Sequence, residues 1–252
     1  MKRKLLIILL SAVVATGISV FAAACTTGGG ITYEPGDSVV DGGEVEYAEQ
    51  DENGNWIKYT GTKYEVTYLL ENDSLIELEG KKPEELLITG YSGDVAKLSI
   101  SDIEKSVKID ESPISVAGIG DRAFYGCDTL TTADLTKVNA SLEFTIGTNA
   151  FGGCSALEEV TFPASESVYT NGNEIESGAF NSATALTSVT ITDRFASIGD
   201  SAFASCTSLE SVTIPARVAT IGEAAFYGTV SLANFVIPEG SRLRSIGNSA
   251  FN

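Results

Sequence analysis

The chain has 252 residues and carries 34 acids against 16 bases, with 4 cysteines, no histidine and a formal charge of -18. That charge argues against a nucleic-acid partner, which needs a face rich in lysine and arginine. The missing histidine excludes Ser-His-Asp and Cys-His nucleophiles, the H-E-x-x-H zinc site and any histidine proton shuttle. What remains is an acidic chain rich in Gly, Ser and Thr, which reads as a soluble β-rich body long enough for a real core.

Lys2, Arg3 and Lys4 precede an apolar run over residues 5–24 that ends Ala22-Ala23-Ala24-Cys25. A positive segment, an apolar segment and small residues before a cleavage point make a secretory signal over residues 1–24. A cysteine directly after those small residues resembles the lipobox of bacterial lipoproteins, with Ala22 where leucine is usual. The resemblance implies that Cys25 carries a lipid anchor. The alternative is an uncleaved membrane-spanning helix, which a run of about 20 apolar residues permits. Both put the body outside the cytoplasm. Residues 26–56 hold eight acids and no base, beginning with Gly28-Gly29-Gly30. So little apolar surface and so much like charge predict an extended tether over residues 25–56. Asp51-Glu-Asn53-Gly-Asn55 lacks the register of a calcium loop.

Residues 57–118 read as a β-rich N-terminal cap, with a separate small β-domain as the alternative. Tyr64-Glu-Val66-Thr-Tyr68 and Leu75-Ile-Glu-Leu78 alternate around Asn72-Asp73, predicting a hairpin. Further strand-like runs follow at Leu87 to Tyr91, Val95 to Ile100 and Pro113 to Val116.

From Ile119 onward the chain repeats. Ala-Phe recurs at Phe124, Phe151, Phe180, Phe203, Phe226 and Phe251, at intervals of 27, 29, 23, 23 and 25 residues. One unit reads Ile198-Gly-Asp-Ser-Ala-Phe203, then Leu209, then Val212-Thr-Ile214-Pro215. Val212 and Ile214 share one face of a short strand, and proline ends it where a lost N–H matters least. The second residue after the repeat Ile is Asp121, Thr148, Ser177, Asp200, Glu223 or Asn248, mostly of N-cap type, which predicts a short helical turn. One unit cannot bury Ile, Ala, Phe, Leu and Val alone, whereas stacked neighbours can. These units resemble the BspA-like (treponemal) leucine-rich repeats over residues 119–252. The resemblance implies a mostly β, right-handed leucine-rich-repeat solenoid with a parallel sheet and short helical turns. The length differences all fall in one slot before the repeat Ile, five residues over 216–220 but eleven over 164–174. Insertions confined to one rim mark a possible binding side.

Three groups of residues are candidates for function. Arg194, Arg217 and Arg242 share one position in successive units and predict a ladder on the insertion rim, joined by Arg244 and by Tyr169 of the longest loop. Clustered guanidinium groups suit carboxylate or sulfate; the plainer reading is a solvated edge paired with acids such as Asp193 and Glu239. The outward strand positions Asp134, Glu159, Thr161, Ser188, Thr190, Ser211, Thr213, Asn234 and Val236 make an extended face for a partner, although threonine suits strands in any case. Cys127, Cys154 and Cys206 share a register three residues after the repeat Phe. A Cys127–Cys154 disulfide is one reading; interchange with Ala183 and Thr229 favours small, buried, free thiols.

No catalytic, cofactor or metal motif stands out, since neither a Walker loop nor G-x-S-x-G is present. The family resemblance implies a surface adhesion module for a host, matrix or bacterial surface protein or an anionic glycan, held to the membrane by its N-terminal lipid. A non-catalytic part of a larger enzyme and a structural spacer are the alternatives. Because the chain stops at Ala250-Phe251-Asn252 inside a unit, a longer repeat protein or an end capped by association is expected; the oligomeric state stays open.

Overall fold

In the computed structural model the described residues are 38–50, 56–70, 74–80, 85–109, 112–137, 144–164 and 173–252. The signal segment, Cys25, Asp51 to Asn55 and Tyr169 lie outside them. Among the described residues no helix is long and apolar enough to cross a membrane.

The repeat does build a mostly β, right-handed leucine-rich-repeat solenoid. Its first strands form an antiparallel meander: β1 (Ser38–Gln50), β2 (Trp56–Leu69), β3 (Leu75–Gly80) and β4 (Leu86–Ser92). The expected hairpin is β2–β3, with Val66 opposite Leu78 and Tyr68 opposite Ile76. From β4 the sheet turns parallel and continues through β8 (Val116–Ile119), β10 (Thr145–Ile146), β12 (Asn173–Ile175), β14 (Phe195–Ile198), β16 (Thr220–Ile221) and β18 (Ser245–Ile246). A second side of the coils carries two smaller parallel sheets. One orders β11 (Glu159–Thr161), β9 (Thr132–Asp134) and β5 (Lys97–Ser99); the other orders β13 (Ser188–Thr190), β15 (Ser211–Thr213) and β17 (Asn234–Val236). A short antiparallel pair, β6 (Lys108–Ile109) and β7 (Ser112–Pro113), precedes β8 in the chain.

The core is a set of columns. Ile119, Ile146, Ile175, Ile198 and Ile221 pair in register from coil to coil. The repeat phenylalanines stack with centroids 5.1–5.3 Å apart and rings within 7° of parallel, from Phe124 to Phe251. Tyr91 of β4 extends the stack at 5.5 Å, so the meander ends the aromatic column with a ring of its own. Burial, then a hydrogen bond with Cys127, pushes the Tyr91 phenol up to about 12.

Three expectations need correction. Residues 38–50, expected in the tether, form β1 along the length of β2. Glu44-Val45-Glu46-Tyr47 alternates with the strand period, and the paired backbone outweighs self-repulsion of the acids. The repeat turns are not helical. Alternate N–H groups close turns within the coil, as in Tyr125 to Arg122 O (3.0 Å), and the others bond across coils, as in Phe124 to Ala150 O (2.8 Å) and Phe180 to Ala202 O (2.7 Å). Asp121 and Asp200 cap the next coil rather than their own, accepting from Thr148 N–H (2.8 Å) and Glu223 N–H (2.7 Å). A Cβ at Gly222 would sit 2.5 Å from Asp200 N, so the glycine is what lets neighbouring coils approach. Two residues before each repeat Phe the backbone is left-handed, at Arg122, Asn149, Gly178, Ser201, Ala224 and Ser249, with φ between 52° and 65°.

The third correction is a helix, α1 (Ile100–Ser106), in a cap expected to be β-structure; the run from Val95 to Ile100 does hold a strand, β5. Ser99 Oγ accepts from Asp102 N–H, and Ile100 and Ile103 are buried. The Ser99-x-x-Asp102 spacing is a capping signal that the β-like run around it obscures.

Candidate interaction surface

The strand positions predicted to face outward do so. Alternation along β11 and β13 is exposed, buried, exposed, with Val160 and Val189 inward. Parallel pairing then sets the outward residues in columns about 4.8 Å apart. Ser188, Ser211 and Asn234 form one column, and Thr190, Thr213 and Val236 another. The other small sheet aligns Lys97, Thr132 and Glu159, then Ser99, Asp134 and Thr161. Asp134 is engaged locally, accepting from Thr136 N–H (2.9 Å) and Thr136 Oγ1 (2.5 Å). The face therefore has a charged tile towards the N-terminus and an uncharged hydroxyl tile beyond it.

The arginine ladder does not form as expected. Arg194 is only 2% exposed, Arg217 is half-buried, and Arg242 and Arg244 alone are exposed. Arg194 belongs instead to a group of buried charges. Lys137 Nζ donates to Val116 O at 3.4 Å, and Glu104 of α1 accepts from Val116 N–H at 2.7 Å. Burial first, and then the Arg194 charge, hold the Lys137 amine down to about 8, with Glu104 opposing. Sequence position alone carries no sign that an arginine in register with two surface neighbours turns inward beside a lysine two coils away.

The three cysteines are free and buried. Cys154 and Cys206 donate to Phe124 O and Phe180 O, each at 3.1 Å, and burial pushes both thiols up to about 12. Such thiols are poor nucleophiles at neutral pH.

One feature escaped the sequence reading. Between the ten-stranded sheet and the repeat turns runs an open groove of about 460 Å³, lined by Glu174, Ser177, Asp200, Thr220, Glu223 and Asn248. Partial burial, then Glu176 and Asp200, raise the Glu174 carboxyl above the usual carboxylate range. Its signal lies in the second residues after the repeat Ile, whose polar side chains suit a groove as well as a helix start. Among the described residues no group of His, Cys, Asp and Glu is placed to hold a metal ion.

Residues 102–174 and 173–252 match the BspA type leucine rich repeat region in six copies. Among solved structures the chain is similar to the Treponema pallidum leucine-rich-repeat protein TpLRR, at 26% identity over 72% of this chain and 78% of that one, with a TM-score of 0.50. A leucine rich cell surface protein of Faecalibacterium prausnitzii shares 23% identity over 67% of this chain, TM-score 0.49, and a leucine-rich repeat protein from Eubacterium ventriosum shares 20% over 74%, TM-score 0.49. The chain spans 38% and 49% of those two chains. No curated protein matches it.

Proposed function

Since the chain belongs to the BspA-type leucine-rich-repeat family, we propose that it is a non-enzymatic binding module, anchored outside the cytoplasm through a lipid on Cys25, that recognises a protein partner on its outward strand columns. The observation that carries this reading is the in-register, uncharged tile of Ser188, Thr190, Ser211, Thr213 and Asn234 on a rigidly stacked core. Repeat solenoids use such extended faces for binding because stacking fixes many side chains at regular spacing without ordering cost at the moment of contact. The first reading of the arginines narrows to Arg242 and Arg244, an exposed pair for a carboxylate- or sulfate-bearing glycan. Tyr169 stays with that rim as part of the same proposal.

The test is retention of the full chain on arrays of matrix proteins, bacterial surface proteins and sulfated glycans. Thr190→Lys with Thr213→Lys is expected to abolish protein capture, and Arg242→Ala with Arg244→Ala to affect only anionic glycans. Binding that survives the paired lysines refutes the sheet face. No retention on any array favours a spacer or a non-catalytic part of a larger enzyme. Incorporation of labelled fatty acid, lost in Cys25→Ala, checks the anchor independently.

A further inference from the structure

The small sheets should run unbroken along the solenoid, because the sequence places a strand in every coil. They do not. β11 and β13 occupy neighbouring coils, yet β11 ends one sheet and β13 begins the other. On the opposite side the same coils pair continuously through β10, β12 and β14.

The bonds that close the sheets elsewhere define what is missing. Leu135 N–H reaches Thr161 O at 2.9 Å, and Ile191 N–H reaches Thr213 O at 2.9 Å. Likewise Glu158 N–H reaches Thr131 O at 2.9 Å, and Glu210 N–H reaches Thr187 O at 2.8 Å. The corresponding bonds across the break, Phe162 N–H to Thr190 O and Thr187 N–H to Glu158 O, are absent among the backbone bonds of the described residues.

Side-chain volume sets the coil at the break apart from the others. Phe162 stands where the other coils have Leu135, Ile191, Ile214 and Ile237. Its ring packs edge-on against Phe180 at 5.9 Å and Phe195 at 5.4 Å, both in the neighbouring coil. A larger ring in that slot needs room in a core packed near crystal density. Val160 and Phe162 are correspondingly 7% and 4% exposed, against 2% for Val189 and Ile191. Side chains pin the margins: Thr192 Oγ1 donates to Pro163 O at 2.7 Å, and Thr184 Oγ1 to Ser155 O at 3.3 Å.

We propose that this seam is a bending point, at which the charged and uncharged tiles change their mutual angle while the ten-stranded sheet acts as the continuous leaf. No strand pair has to break for the motion, because the pair that would resist it is already absent. The surface can then adjust its curvature to a partner that spans both tiles.

Residue-resolved amide hydrogen exchange on the full chain tests the seam. Phe162 and Thr187 amides are expected to exchange at least tenfold faster than the matched amides of Leu135 and Glu210. Phe162→Leu is expected to slow both towards their neighbours. Spin labels test the bending in a Cys25→Ala background: Thr161→Cys with Thr190→Cys spans the seam, and Thr190→Cys with Thr213→Cys spans an unbroken pair. The first pair should give the broader distance distribution. Equal protection of the matched amides, fast exchange unaltered by Phe162→Leu, or equal distribution widths each overturn the proposal.

Discussion

In the coils from Ile119 onward, nearly every core side chain has a counterpart one coil away, whereas residues 66–107 bury side chains that have none. Phe180 lies between Phe151 and Phe203, at 5.1 Å from each. Tyr91 touches the same column from one side only. Among the described residues, Glu104, Ile100 and Ile103 are buried on a helix that has no counterpart in the coils. The difference teaches that redundancy shares load along the coils, while the N-terminal part depends on contacts made once.

The largest break in that comparison comes from the aromatic column. Phe180→Ala is expected to cost about 3–5 kcal/mol, because a ring stacked on both faces leaves a cavity that neither coil can fill. Tyr91→Ala should cost less, roughly 1–2 kcal/mol, since its ring is half-buried at the column's end. Urea titration of both variants decides the order, and a larger loss at Tyr91 would reverse the view of the coils as the dominant core.

A second effect sits where cap and coils meet. The Lys137 amine falls from its ordinary 10.5 to about 8 in the fold. Between those values the unfolded chain holds the proton that the folded chain has released, so stability rises with pH there; below about 8 both states are charged and the full burial penalty applies. Lys137→Met removes this dependence. The stability of the parent relative to Lys137→Met should improve by roughly 2–3 kcal/mol between pH 7 and pH 10. A flat difference across that range would show that the amine is not desolvated.

The smallest effects belong to the turns. Gly178→Ala is expected to destabilise by more than about 1 kcal/mol, because φ is +65° and the new Cβ would collide with Asn149 Oδ1. Ala224→Gly, at φ +52°, should be neutral or stabilising by about 0.5 kcal/mol. Thermal melts separate the two, and equal losses would mean that the left-handed turn is not the constraint.

The repeat architecture was legible because its signals are local and reiterated. Val189, Val212 and the alternating residues beside them announce strand and facing at once, and Phe124, Phe151 and Phe180 announce a column. The cap was only partly legible. The β2–β3 hairpin follows from alternation, but α1 rests on one capping pair and β1 on pairing that outweighs its charge. Of the candidate surface, the strand columns were readable and the arginine ladder was not, since register says where a residue sits and not which way a long side chain turns.

The sequence by itself determined the coil period, the inward columns of Ile and Phe, the outward columns of Ser and Thr, and the burial of the cysteines. Each of these depends on a pattern within one unit, and copies of that unit are its neighbours. Only the tertiary structure decided that Arg194 joins Lys137 and Glu104 inside, that Asp121 and Asp200 cap the following coil, and that β11 and β13 stay unpaired. Those outcomes depend on unlike residues meeting across coils, where volume and charge are settled by the neighbour rather than by the unit itself.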